Sequence, residues 1–121
     1  MKILGTIVLG EDKKSMFLVK KDQPMEFPSI IEEDESKTPL GVILNYYLNE
    51  LGVNPDYLRL EELSMVKAGE VKQNLFVFSI NSHIKEVKAA CLHNERLEFA
   101  DVSTLKELFK TIEMDTTPFF N

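Results

Sequence analysis

Apolar and polar positions change their period several times along this chain, and each change marks an element. Ile3 to Leu9 is a continuous run rich in β-branched residues, the pattern of a buried strand. Gly10-Glu11-Asp12-Lys13-Lys14 reads as a turn, and Met16-Phe17-Leu18-Val19 as a second strand that completes a hairpin. A polar loop, Lys20 to Pro24, leads to a short extended piece, Phe27 to Ile31, and then to the acidic loop Glu32-Glu33-Asp34-Glu35. Period 3.6 then takes over. Leu40, Ile43, Leu44, Tyr47, Leu48 and Leu51 trace one buried helix face, with Thr38 as N-cap and Pro39 at the first helical position. Gly52 supplies the C-terminal cap, and Asn54-Pro55 prevents continuation.

The second half opens with two strands, Tyr57 to Val66 and Asn74 to Ile80, joined by a turn at Ala68-Gly69-Glu70. Ile84 to Leu92 fits either period; its lysines alternate loosely with apolar residues, which favours a strand. Leu97-Glu98-Phe99 is a short extended stretch. Ser103 caps a second helix with Leu105, Leu108, Phe109 and Ile112 on its inner face, and Thr116 to Asn121 forms an irregular tail. The order hairpin, helix, strands, helix predicts a mixed α/β domain with helices covering a sheet.

Composition sharpens this only in part. A chain of 121 residues, 44% hydrophobic and 28% charged, is expected to form one soluble domain over residues 1–121. The net charge of -6 offers no footprint for a nucleic-acid backbone and disfavours an anionic membrane surface. No segment is long enough to span a bilayer, and the Ile3–Leu9 run is too short, with no cleavage site after it, to read as a signal peptide. The single cysteine, Cys91, sits in an apolar run and reads as a buried structural thiol. With no disulfide to form, the expected compartment is reducing and cytoplasmic. His83 and His93 stand at no metal-ligand spacing from each other or from Cys91.

The segment from Glu26-Phe27-Pro28 to Glu50-Leu51-Gly52-Val53 resembles the signature of the Nudix hydrolases, G-x5-E-x7-R-E-U-x-E-E-x-G-U with U a bulky apolar residue. Glu26-Phe27-Pro28 matches a common lead-in, Pro39 to Leu51 the helix, and Glu50, Gly52 and Val53 its end. A hairpin before the box, strands after it and the late segment Phe99 to Leu108 extend the likeness over nearly the whole chain. The resemblance implies a Nudix-like α/β/α sandwich, a mixed β-sheet between helices. The box itself is degenerate. Counting back from Gly52, the two carboxylate positions beside Glu50 hold Tyr46 and Asn49, the arginine is Asn45, the earlier glutamate is Lys37 and the opening glycine is Ile31. A small gap would bring Glu35 into the loop-glutamate position.

Those carboxylates matter because splitting a pyrophosphate link needs divalent metal to neutralise phosphate oxygens and activate water. Magnesium takes hard oxygen ligands in near-octahedral geometry. Residues at i, i+3 and i+4 share a helix face, so the family's three glutamates converge on one metal. The same face here presents Tyr46, Asn49 and Glu50, of which only Glu50 carries charge. The expectation is a protein that has lost pyrophosphohydrolase activity and binds a nucleotide-like small molecule in the old cleft, or serves as a regulatory or interaction module. The alternative is a divergent hydrolase of a nucleoside-diphosphate-linked compound, with Glu50 and acids from Glu32 to Glu35, Glu35 first among them, as ligands to magnesium or manganese. No cofactor is expected outside that alternative. A sealed cleft in a structural homodimer is a third course, the homodimer being implied only by the resemblance.

Each candidate also has a plainer reading. Glu50 fits an exposed helix-end glutamate, and Glu32 to Glu35 a solvated charge run. Tyr46 reads equally as a stacking platform for a ligand, with Asn49 reading polar edges, or as a plug that seals the emptied cleft. Phe119 and Phe120 fit docking on a partner or packing back on their own domain.

Overall fold

The computed structural model describes residues 2–11, 13–22, 25–68, 71–101, 103, 105, 113 and 114. Strands β1 (Lys2–Glu11) and β2 (Lys14–Lys20) form the expected hairpin, followed by β3 (Ser29–Ile31). Helix α1 (Pro39–Tyr46) continues directly into a π-helical turn, Tyr47–Leu51. A 3-10 turn at Pro55–Tyr57 leads into β4 (Leu58–Ala68) and β5 (Val71–Ile80). Helix α2 (Ile84–His93), β6 (Leu97–Asp101) and β7 (Glu113–Met114) complete the described elements.

The described strands make one seven-stranded sheet in the order β6-β2-β1-β5-β4-β7, with β3 paired to β1 beside that path. β1 and β5 run parallel and the other pairs antiparallel, so the sheet is mixed. β1 changes partner along its length: Lys2 to Leu4 pair with β3, and Val8 to Glu11 with β2. Two bonds close the fork, from Gly5 N–H to the Pro28 carbonyl at 3.0 Å and from the Thr6 hydroxyl to the Leu18 carbonyl at 2.9 Å.

Alternation along the strands sorts side chains to two cores. On one face Ile3, Ile7, Leu18, Phe76 and Phe78 pack with Val42, Ile43, Tyr47 and Leu51 from the first helix and with Val87 and Cys91 from α2. On the other, Leu4, Val8, Phe17, Val19, Leu75 and Val77 pack with Phe27, Ala100 and Leu105. Burying each Leu or Phe contributes on the order of 2 kcal/mol. This is the mixed sheet backed by helices that the family resemblance implied, with α1 and α2 both on the first face.

The first helix begins as its sequence predicts. The Thr38 hydroxyl accepts from Gly41 N–H at 3.1 Å, and Pro39 takes the first turn. Its buried stripe differs from the expected one. Ile43, Tyr47 and Leu51 point inward as an i+4 row with Val42, whereas Leu40 and Leu48 are 36% and 50% exposed. The close approach of that row to β1 decides which side is inner: a Cβ built on Gly5 would sit 2.6 Å from Tyr47 Oη and 2.7 Å from Ile43 Cδ1. Gly52, at φ +72, ends the helix, and both its N–H and that of Val53 turn back to the Tyr47 carbonyl.

The strand expected at Ile84 to Leu92 is helix α2. Val87 and Cys91, four apart, are its buried residues, while Lys85, Glu86 and Ala89 face solvent. Alanine, lysine and glutamate are strong helix formers, and the i, i+4 pair outweighs the loose alternation of lysines. Ser103 and Leu105 are helical, and Leu105 is buried. The expected inner-face residues Leu108, Phe109 and Ile112, the turn at Gly69-Glu70 and the tail with Phe119 and Phe120 lie outside the described residues. Among the described residues no helix is long and apolar enough to cross a membrane.

Candidate functional site

The end of the first helix and the exit from β3 bound a cleft of about 220 Å³ lined by Ile30, Glu32, Val42, Asn45, Tyr46, Asn49 and Glu50. Two rows of the helix supply most of it. Asn45 and Asn49 are four residues apart, as are Tyr46 and Glu50, so the pairs stand one turn above each other. The π-helical turn carries Asn49 and Glu50, and such turns concentrate at functional sites because the extra residue re-aims side chains. Ile30 and Glu32 arrive from the other side, at the end of the strand held to β1.

The polar groups in the cleft are arranged by local bonds. Asn49 Nδ2 donates to Asn45 Oδ1 at 2.6 Å, which leaves Asn49 Oδ1 as an acceptor. Glu32 accepts from Asp34 N–H at 3.2 Å and lies 3.8 Å from Lys37 Nζ. Tyr46 is half-buried, its ring 5.8 Å from that of Tyr47 at 51°. Burial, followed by the nearby Glu50 carboxylate, pushes the Tyr46 hydroxyl above its ordinary value, so it stays neutral at physiological pH.

Tyr46, Asn49 and Glu50 are therefore brought together in one cleft. Glu35 does not line it: it is exposed, inside a turn that Asp34 ties by accepting from Ser36 N–H at 3.0 Å and Ser36 Oγ at 2.6 Å. Those two bonds hold the Asp34 carboxyl below its usual range. The acid that reaches the cleft from this loop is Glu32, which sequence reasoning did not single out from its neighbours. Its position directly after β3 was the available signal. Asn45, likewise missed, was foreseeable from its i, i+4 relation to Asn49.

Among the described residues no group of three or more His, Cys, Asp or Glu side chains could hold a metal ion. Cys91 is buried and free, and burial pushes its thiol up to about 12, so it is inert in the folded state. His83 is exposed and stacks on Tyr57 with ring centroids 3.9 Å apart. A second cleft, of about 340 Å³, is lined by Lys14, Ser15, Asp101 and Ser103, where Ser103 Oγ donates to Asp101 at 2.7 Å.

No protein-family model matches the chain, and no curated protein matches it. Solved structures do. The Ap4A hydrolase of C. elegans superposes with a TM-score of 0.60 at 11% identity, over 91% of this chain and 83% of that one. NrtR of Shewanella oneidensis superposes at 0.58 with 9% identity, over 87% of this chain and 54% of NrtR. The fold is Nudix-like. NrtR complexed with a 27mer DNA gives 0.59 at 8% identity, over 88% of this chain and 53% of that one. The chain thus spans about half of NrtR and most of the hydrolase. At these identities the likeness establishes the Nudix-like fold alone.

Proposed function

We propose that this chain is a non-hydrolytic Nudix-like protein that binds a small ligand, nucleotide-like or other, in the cleft of Tyr46, Asn49 and Glu50. The observation that carries the reading is the make-up of the cleft: an aromatic ring, two amides and two carboxylates around a space of about 220 Å³. Such a set can stack on and hydrogen-bond a ligand. It suits pyrophosphate hydrolysis poorly. Magnesium or manganese would need several convergent oxygen ligands. Tyr46 and Asn49 stand where the Nudix signature has carboxylates, and Glu50 is left with Glu32, a group already engaged by Lys37. The donor set does not fit the metal centre.

The presence of Glu32 beside Glu50 favours a second reading, a divergent metal-dependent hydrolase of a nucleoside-diphosphate-linked compound. Turnover of a panel of nucleoside-diphosphate derivatives with magnesium and with manganese, beside a Glu50→Gln control, separates the two. The expected outcome is no turnover in either protein. Turnover in the parent that disappears in the control would overturn the binding-protein reading.

A further inference from the structure

The described lining of the Nudix-like cleft carries more negative than positive charge. Its carboxylates are Glu32 and Glu50. The Asn49–Asn45 bond leaves Asn49 Oδ1 as an acceptor and Asn45 Nδ2 as a donor, so the two amides offer both roles. Among the described residues no lysine or arginine lines the cleft. The cation beside it, Lys37, reaches Glu32 from the loop at 3.8 Å, and its side chain is 56% exposed. A phosphate entering without metal would meet two like charges and no cation among the described lining residues, whereas a positive group would meet complementary charges. Tyr46 adds a ring on the same helix face as Glu50, one turn away, and a ring face attracts a cation through its quadrupole.

Resting on the reading of this cleft as a small-ligand site, we infer that its ligand is a small organic cation, an ammonium group held between Glu32 and Glu50 against the ring of Tyr46. An ammonium group asks less of the protein than a divalent metal does. Two neighbouring carboxylates and a ring face suffice for it, with or without N–H groups to donate, whereas a metal demands a shell of oxygens at fixed angles. Lys37 is then a built-in competitor. Its own ammonium already neutralises part of Glu32, and an incoming cation must share or displace it.

The test is a titration of the full, isotope-labelled chain with choline, followed through the backbone amide resonances of Tyr46, Asn49 and Glu50. Metal-free ADP-ribose and sodium chloride at matched ionic strength serve as counter-probes. Choline is expected to shift these resonances saturably. Glu50→Gln, Glu32→Gln and Tyr46→Leu should each weaken it by about two- to fivefold, the scale of single exposed charge and cation–ring contacts. Lys37→Met should tighten it, which a purely structural effect of the loop would not do. If metal-free ADP-ribose saturates the same resonances more tightly than choline, the cation is the wrong class while the small-ligand reading stands. Equal shifts with sodium chloride would reduce the choline effect to screening and overturn the inference. If no probe moves these resonances, the inference and the small-ligand reading fall together.

Discussion

Tyr47 is the residue on which the packing turns. Its ring is fully buried and meets Phe78 edge-on at 5.5 Å, yet its hydroxyl has no hydrogen-bond partner among the described residues. A buried hydroxyl without a partner costs about 1–3 kcal/mol. Tyr47→Phe is therefore expected to raise stability by about 1 kcal/mol in urea denaturation. The opposite partner is as constrained. Gly5→Ala forces a methyl against Tyr47 Oη and Ile43 and should cost about 1–3 kcal/mol. Combining the two should recover only part of that loss, because Ile43 Cδ1, 2.7 Å from the added carbon, remains. Cys91 adds a pH signature. Its folded-state value is raised from 9.0 to about 12, so the folded chain holds its proton where the unfolded chain has released it. Stability is whole below pH 9 and declines towards pH 12. Tyr46 and Tyr47, both raised by burial, push in the same direction. Cys91→Ala should accordingly flatten, without abolishing, the decline in melting temperature across that range.

At the scale of elements, the helix that bears the cleft is fixed at both ends by side-chain and glycine caps. Removing the first, in Thr38→Ala, takes away the acceptor for Gly41 N–H and is expected to cost about 1 kcal/mol, read as a lowered urea midpoint with an unchanged slope. Thr38-Pro39 and Gly52 made both ends legible in the sequence, since caps act through local chemistry. The hairpin was legible for the same reason. The π-turn was not. It is a slip in backbone hydrogen bonding, and the spacing of Ile43, Tyr47 and Leu51 looks the same with or without it. Helix α2 was obscured because its polar and apolar residues interleave too loosely to fix a period, and only the packing of Val87 and Cys91 against the sheet settles it. The cleft was half legible. Tyr46, Asn49 and Glu50 follow from the helix geometry, whereas Glu32 rather than Glu35 depends on where the loop leaves β3, which adjacent acids do not encode.

For the molecule as a whole, the central pair β1 and β5 is covered on both faces, and hydrogen exchange should be slowest at the amides of Ile7, Val77 and Phe78. β3 has a weaker hold. It meets β1 at three register pairs, Ile30 is half-buried and Ile31 is 71% exposed. Its amides are expected to exchange faster than those of β5, through an opening that leaves the sheet intact. The fork in β1 gives this difference a consequence for the cleft. One wall belongs to the hydrophobic core, while the other hangs from a short branch of the strand that forks away from β2. A molecule seated between them would act as a clasp: its grip would be lent mainly to the branch, and on warming the wall of Ile30 and Glu32 is expected to unfasten while the rest of the molecule still stands.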